Sequence, residues 1–172
     1  VVSAERMSGL LDWTDRGTCC IFGDGAGAVV LGEGNGYIAS ELHTKGGDDV
    51  IHIPTAWDNS PFYQVQRDKN CVFMKGQDTY KFAVTSMVND IRSVMEKAGI
   101  TGEQVKAVIP HQANLRIINE ARRRLPEIAP ERFLVNIDHC GNTSSASEPI
   151  LLDEAARAGT FQPGDYIVMA AF

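Results

Sequence analysis

Hydrophobic side chains recur every three or four residues in the middle of the chain, which is the period of one helical face. A glycine, Gly99, follows the last of them directly and is a common residue at a helix end. The spacing therefore predicts an amphipathic helix that packs its apolar stripe into the core and ends at Gly99. The stripe consists of Tyr80, Val84, Met87, Ile91, Met95 and Ala98.

Downstream of Gly99, short apolar runs alternate with helical stripes. The runs VKAVIP, RFLVNI and DYIVMAA predict three strands, over residues 105–110, 132–137 and 165–171. Helices are predicted over residues 114–125 and over 151–158. Strands that alternate with helices of this length indicate a largely parallel sheet covered by helices, so the predicted fold class is α/β.

The first part of the chain is predicted to be rich in strands. After a short helical stretch around residues 5–11, apolar runs predict strands over residues 19–22, 26–31 and 37–43. Glycine and proline then interrupt the pattern from residue 44 to residue 73. A loop of this length inside a compact domain is more often a lid or a binding loop than a plain connection.

The stretch IFGDGAGAVVL contains three glycines in five residues, Gly23, Gly25 and Gly27. A dinucleotide fingerprint would need a helix after the glycines, but Ala28 is followed by a β-branched run typical of a strand. A phosphate-binding P-loop is also excluded, because the first lysine after Gly23 is Lys45. We therefore favour a tight reversal between two strands, with glycine supplying positive φ and room for close backbone approach.

Composition narrows the class of protein further. The 172 residues have the size of one domain, with 44% hydrophobic and 22% charged residues. A net charge of −6 argues against a nucleic-acid-binding surface over the whole molecule, and no apolar run is long enough for a membrane span. The four cysteines lack C-x-x-C spacing. The expectation is a soluble cytoplasmic protein with reduced thiols.

The two ends of the sequence suggest a piece of a longer protein. The chain begins on Val1 rather than on methionine, and it stops on YIVMAAF, inside a predicted strand. Domains normally end in polar, exposed linkers. We therefore expect further chain outside these 172 residues.

Two polar loops follow predicted strands, at the place where parallel sheets carry their chemistry. His111 begins the first loop, and Asn142 lies in the second. Neighbouring strands would bring the two side chains together, and a neutral His beside an Asn offers two N–H donors for a developing oxyanion or enolate. A core or capping His and an Asn142 N-cap cluster with Thr143 and Ser144 explain the same spacing equally well.

Other chemistries are not supported by the pattern. His111 and His139 have no companions at metal-ligand spacing, so no metal site is predicted. Ser144 and Ser145 lack the G-x-S-x-G setting of a serine nucleophile. No bound cofactor is expected.

Three long motifs occur in order along the chain: DRGTCCIFGDGAGAVVL, IPHQANLRI and HCGNTSSASEPILLDEA. Together they resemble the C-terminal half of β-ketoacyl-acyl carrier protein synthase III, the condensing enzyme that starts type II fatty acid synthesis. The resemblance implies a thiolase-like domain over residues 1–172, a mixed five-stranded sheet with helices on both faces, and a homodimer. It also implies that the glycine-rich loop supports the active site structurally.

The resemblance assigns roles to individual residues. It implies that His111 and Asn142 are the catalytic His and Asn, which bind the malonyl thioester carbonyl and stabilise the enolate. It also implies a segment that binds the acyl carrier protein or coenzyme A, in which the fixed fork of an arginine meets a phosphate. That segment consists of Gln112, Ala113, Asn114, Leu115 and Arg116.

Downstream on the same helix, Arg122, Arg123 and Arg124 could attract an acidic carrier protein, but an ordinary solvent-facing role is as good an interpretation. The family's nucleophilic Cys belongs to the N-terminal half, and Cys140 occupies a different position without the helix N-terminus that lowers a thiol pKa. The chain alone is therefore predicted to be inactive, whereas the full-length protein would condense acyl-CoA with malonyl-acyl carrier protein. Two alternatives stay open: a secondary-metabolite acyltransferase or synthase of the same fold, and a non-catalytic half-domain that binds the carrier protein.

Overall fold

The structure is a computed structural model that describes residues 1–53 and 71–172. Most of the predicted lid or binding loop, which spans residues 44–73, falls on the residues between these two ranges. That prediction therefore lies outside the described part of the chain.

Within residues 1–53 and 71–172 the strands occur in three pairs. In the first part, β1 (Val2–Glu5) runs antiparallel to β2 (Gly25–Ala28), and β3 (Ile51–His52) runs antiparallel to β4 (Phe73–Met74). In the second part, β5 (Val105–Pro110) runs parallel to β6 (Tyr166–Ala170). Strand directions are therefore mixed, as expected.

The predicted five-stranded sheet is not confirmed among the described residues. Two isolated parallel bridges, Phe22 with Asn142 and Val108 with Phe133, join segments that a continuous sheet would connect by full ladders. The α/β class holds, but the hydrogen bonds between these segments are sparse. The second of these bridges fixes the loop that leads towards Asn142 against β5.

Helix α1 (Gly76–Ala98) confirms the apolar stripe of the sequence. It buries Val84, Met87 and Ile91, and it ends at Gly99, whose φ of 67° allows its N–H to reach the Glu96 carbonyl. Over the described ranges, no helix combines the length and the apolar character needed to cross a lipid bilayer.

The remaining predicted helices are also confirmed. Helix α2 (Leu115–Arg124) begins at Asn114, whose side-chain oxygen accepts a hydrogen bond from the Arg116 N–H at 2.9 Å. Helix α4 (Ser147–Arg157) ends shortly before Gly159, which has a φ of 71°. Helices α1 and α2 pack against each other and α1 packs on β6, which closes the core. Its fully buried side chains include Ile91, Val108, Ile118, Leu125, Ile128 and Phe133.

Three of the predicted strands are wrong. Residues 19–21 form turns, because the Asp15 carbonyl and carboxylate accept the N–H groups of Gly17, Thr18 and Cys19, and Phe22 forms only the isolated bridge to Asn142. Residues 37–43 have no partner strand in the described ranges and leave Leu42 almost wholly exposed. The predicted helical stretch around residues 5–11 is confirmed as a short 3₁₀ helix, Met7–Leu10.

The third wrong strand prediction concerns residues 132–137. After the single bridge at Phe133, the chain enters a helical turn, α3 (Ile137–Cys140). The Asn136 and Ile137 N–H groups, which a strand would use in a ladder, donate to the Gln112 side chain instead.

Glu148 is a buried acidic side chain in the first turn of α4. It is 9% exposed, and its Oε1 has no hydrogen-bond partner. Burial raises the pKa of this carboxyl from 4.5 to about 7. The folded state therefore holds the proton more tightly than the unfolded state, and stability falls as pH rises from 4.5 towards 7.

We expect Glu148→Gln to be more stable than the unaltered protein at pH 8, by about 2 kcal/mol, because the amide removes the ionisation penalty. At a pH near 4.5 the two proteins should have nearly equal free energies of unfolding. Urea denaturation at both pH values measures the difference. A difference that does not change with pH would contradict the assignment.

Candidate functional site

His111 and Asn142 lie on the wall of one cavity of about 1220 Å³. The cavity also reaches Arg116 at the start of α2 and apolar side chains of the first part of the chain, such as Met7 and Phe22. The structure thus brings together the two residues that the sequence singled out, in a space large enough for a sizeable ligand.

His111 is placed by the end of the parallel strand pair. It follows β5 directly, and its backbone N–H donates to the Ala170 carbonyl at 2.8 Å, so it continues the ladder to β6. Its ring packs edge-on against Phe172, with 5.2 Å between the ring centroids. Burial lowers the pKa of His111 from 6.5 to about 4. At neutral pH the imidazole is therefore uncharged and carries one N–H donor.

Asn142 is held from both sides. Its backbone N–H donates to the Ile21 carbonyl and its own carbonyl accepts from the Gly23 N–H, both at 2.9 Å. Its side-chain Oδ1 accepts the Ser144 N–H, also at 2.9 Å. Because this donor can only meet an oxygen, the amide orientation is fixed, and Nδ2 is left to donate to a ligand. The Asn-Thr-Ser spacing is typical of such a turn.

The three glycines of GDGAGA bring β2 close to the loop that carries Asn142. A Cβ on Gly23 would lie 2.2 Å from the Cys140 carbonyl oxygen, and a Cβ on Gly27 would lie 2.8 Å from Pro149. The prediction that these glycines allow a close approach of the backbone is therefore confirmed. The prediction that they adopt positive φ is wrong, because none of the three is among the glycines with positive φ. Gly25 and Gly27 lie inside β2 rather than in a reversal between two strands, and no helix begins between β2 and residue 53, so no phosphate cradle is built.

We expect Gly23→Ala to lower the free energy of unfolding by about 2 kcal/mol, since a backbone carbonyl cannot move aside cheaply. Gly32→Ala is the matched control, because nothing lies within 4 Å of a Cβ at Gly32. Urea denaturation of both variants measures the difference. Equal stabilities would show that the contact with Cys140 is not tight in solution.

Gln112 is wholly buried, which corrects its expected place in a docking segment. Its Nε2 donates to the Pro110 carbonyl at 2.8 Å, and its Oε1 accepts the N–H groups of Asn136 and Ile137 at 3.0 and 3.2 Å. A side chain without exposed surface cannot meet a carrier protein. Gln112 instead ties the segment after β5 to the turn that leads into Asn142.

The rest of that segment lies at the cavity. Ala113 and Asn114 line it, and Asn114 also caps α2. Leu115 is 43% exposed, and Arg116 is exposed while it lines the cavity. These four residues are therefore accessible from the cavity or from the surface beside it.

The three consecutive arginines of α2 do not form a free basic patch. Arg122 donates to the Phe133 carbonyl, and Arg123 and Arg124 both contact the Glu120 carboxylate at 2.6 and 2.7 Å. Hydrogen bonds from these two arginines lower the pKa of Glu120 to about 2. Arg123 and Arg124 nevertheless stay exposed and share a single carboxylate, which leaves a net positive charge on this face of α2.

The pKa of His111 can be measured directly. We expect its ring resonances to titrate near pH 4, below the value of 6.5 for a free imidazole, because the charged form loses solvation. The unfolded state binds the proton more readily, so this group removes stability as pH falls from 6.5 towards 4. NMR titration, with His111→Gln to assign the signals, tests this. Titration near 6.5 would mean that the ring is solvated.

Solved structures place the chain in the thiolase-like class of α/β proteins. The chain superposes on 3-oxoacyl-[acyl-carrier-protein] synthase III from Aquifex aeolicus with a TM-score of 0.86 and 41% identity, over 99% of this chain and 52% of that one. The structure of the enzyme from Thermus thermophilus superposes with a TM-score of 0.87 and 38% identity, over 100% of this chain and 54% of that one.

Two protein-family models match the chain. The model described as "3-Oxoacyl-[acyl-carrier-protein (ACP)] synthase III C terminal" matches residues 95–172, and the model described as "3-Oxoacyl-[acyl-carrier-protein (ACP)] synthase III" matches residues 1–46. The chain belongs to the β-ketoacyl-acyl carrier protein synthase III family of the thiolase superfamily.

A curated relative of that name from Caldanaerobacter subterraneus subsp. tengcongensis is 42% identical over 178 residues, which cover 100% of this chain and 54% of the relative. The chain thus spans about half the length of the curated relatives it matches.

Proposed function

We propose that this chain is the C-terminal domain of a condensing enzyme that starts type II fatty acid synthesis, and that it supplies the two carbonyl-binding donors. The observation that carries the proposal is the shared cavity of His111 and Asn142. At that cavity the imidazole is kept neutral, and the amide oxygen of Asn142 is already engaged by Ser144. Both side chains are thereby left as N–H donors.

The donors act on the oxygen of the malonyl thioester carbonyl. As the bond to the terminal carboxylate breaks, carbon dioxide leaves and its bonding electrons move to the thioester, which becomes an enolate. Two N–H groups fixed in advance stabilise the negative charge that develops on this oxygen. The enolate carbon then attacks the carbonyl of the primer acyl group on the nucleophilic Cys, so that a carbon–carbon bond forms and the Cys thiolate departs.

In this proposal the nucleophilic Cys belongs to sequence outside residues 1–172, and these residues alone form no acyl-enzyme. Burial and the charge of Glu154 raise the pKa of the Cys140 thiol, which is the opposite of what a nucleophile needs. The substrates of the full-length enzyme are an acyl-CoA primer and malonyl-acyl carrier protein, and the enzyme acts as a homodimer.

The carrier protein or coenzyme A is proposed to enter past the start of α2. Arg116 is exposed beside the cavity, where its guanidinium can meet a phosphate with two parallel N–H groups. Ala113 and Asn114 form the adjoining wall, and Leu115 is exposed next to them in the sequence.

A second candidate is a synthase that primes a secondary-metabolite pathway. The priming β-ketosynthase from the R1128 polyketide biosynthetic pathway superposes with a TM-score of 0.76 and 32% identity. Identities of 41% and 38% to solved 3-oxoacyl synthase III structures favour the fatty acid role.

The test uses the full-length protein with acyl-CoA primers and malonyl-acyl carrier protein, and follows the 3-ketoacyl product by mass spectrometry. We expect the native protein to form product and His111→Ala to lose at least about 10²-fold in rate. His43→Ala is the control, because His43 is exposed and does not line this cavity. A native protein that binds the carrier protein but releases no product would support the non-catalytic module.

A further inference from the structure

The turn that leads into Asn142 carries two metal-ligating side chains with no part in the proposed reaction, and a third lies beside them on α4. His139 and Cys140 end α3, and Glu154 reaches them from α4. The Glu154 Oε1 lies 3.2 Å from the His139 Nε2 and 3.9 Å from the Cys140 Sγ. All three ligand atoms lie within 4.8 Å of one another.

These separations are close to those of a tetrahedral zinc site. Zinc bonds of about 2.0–2.2 Å to nitrogen or oxygen and about 2.3 Å to sulfur place neighbouring ligand atoms about 3.4–3.6 Å apart. Small rotations of the three side chains are enough to reach that range. One thiolate, one imidazole and one carboxylate form a donor set that suits zinc, with a fourth position left for water.

Two further side chains hold the ligands in place. The His139 Nδ1 lies 3.1 Å from an Asp138 carboxylate oxygen, and the Asn136 Nδ2 donates to the Glu154 Oε2 at 2.9 Å. A carboxylate on the far nitrogen of a ligating His fixes the ring and raises its basicity, which is the usual outer shell of a zinc site. Asn136 likewise turns the free carboxylate oxygen Oε1 towards the other two ligands.

We propose that His139, Cys140 and Glu154 form a binding site for one zinc ion or a similar divalent cation. The ion replaces the protons on the thiol and between the imidazole and the carboxylate, and these protons pass to solvent. It also joins α3 to α4 and fixes the turn that leads into Asn142. Sequence spacing does not reveal this site, since Glu154 lies 14 residues beyond Cys140 on another helix.

Cobalt titration of the full-length protein tests the site, because a thiolate bound to Co²⁺ gives a charge-transfer absorption that carboxylates and imidazoles do not give. We expect one equivalent of Co²⁺ to produce this absorption and Zn²⁺ to displace it. Cys140→Ser should abolish the absorption, and Glu154→Gln should weaken binding. Asp138→Asn should weaken it by about tenfold.

Two control variants separate this site from others on the chain. Cys20→Ser removes an exposed thiol that lies outside the proposed site. His43→Gln removes another contact between a His and a carboxylate, in which the His43 Nδ1 lies 3.1 Å from the Asp90 Oδ1. His43 does not belong to the proposed group of metal ligands. Both should keep the absorption. A native protein without the absorption, or a Cys140→Ser variant that retains it, would overturn the proposal. The outcome does not depend on catalysis, because binding is measured without substrate.

Discussion

Replacing Asn142 by alanine in the full-length protein should slow the decarboxylation of malonyl-acyl carrier protein by about 10²–10³-fold, the usual cost of one oxyanion donor. The Nδ2 amide is the group that the contact between Oδ1 and the Ser144 N–H leaves for the substrate. Release of carbon dioxide from labelled malonyl substrate measures the loss. Asn119→Ala is the control, because Asn119 is exposed on α2 and outside the cavity.

Asn142→Asp separates the donor from the turn geometry. The carboxylate still accepts the Ser144 N–H, so the loop keeps its conformation, but it cannot donate to the thioester oxygen. We expect this variant to lose at least as much activity as Asn142→Ala while its circular dichroism stays native. If either variant kept its decarboxylation rate within a few-fold, Asn142 would not be a donor to the reacting carbonyl.

Replacing Gln112 by leucine should lower the free energy of unfolding by about 4 kcal/mol, because two backbone N–H groups and a carbonyl lose their partner in a buried site. Leucine is similar in size, so the effect isolates the hydrogen bonds to Pro110, Asn136 and Ile137. Urea denaturation measures the loss. Gln162→Leu, at an exposed position, is the control and should change stability by less than about 0.5 kcal/mol.

A small effect of Gln112→Leu would mean that the two segments it joins are held by packing alone. In that case the position of His111 relative to Asn142 would not depend on this side chain. The cavity would stay in place, but the hydrogen bonds of Gln112 would no longer explain why it is buried.

Elements whose evidence is local were predictable from the sequence. Helix α1 follows from an apolar stripe that ends at Gly99, and β5 has the bounds that the run VKAVIP predicts. In α1 the backbone hydrogen bonds join residues one helical turn apart, and in β5 they join the strand to its parallel partner β6. Hydrophobic periodicity is then enough.

Segments whose hydrogen bonds belong to distant side chains were not predictable. The run RFLVNI has the composition of a strand, but Gln112, more than twenty residues earlier, takes the N–H groups of Asn136 and Ile137. Similarly, Asn142 reaches the cavity through contacts with Ile21 and Gly23 rather than at the end of a strand. The sequence therefore singled out two side chains that line one cavity, although the geometry that places Asn142 differs from the one expected.

The most direct test of the account is a crystal structure of the full-length protein with a non-hydrolysable malonyl thioester analogue. We predict that the thioester carbonyl oxygen accepts hydrogen bonds from an imidazole nitrogen of His111 and from the Asn142 Nδ2, each at about 2.7–3.2 Å. A thioester oxygen bound away from these two side chains, or an Asn142 amide rotated so that Oδ1 faces the ligand, would contradict it.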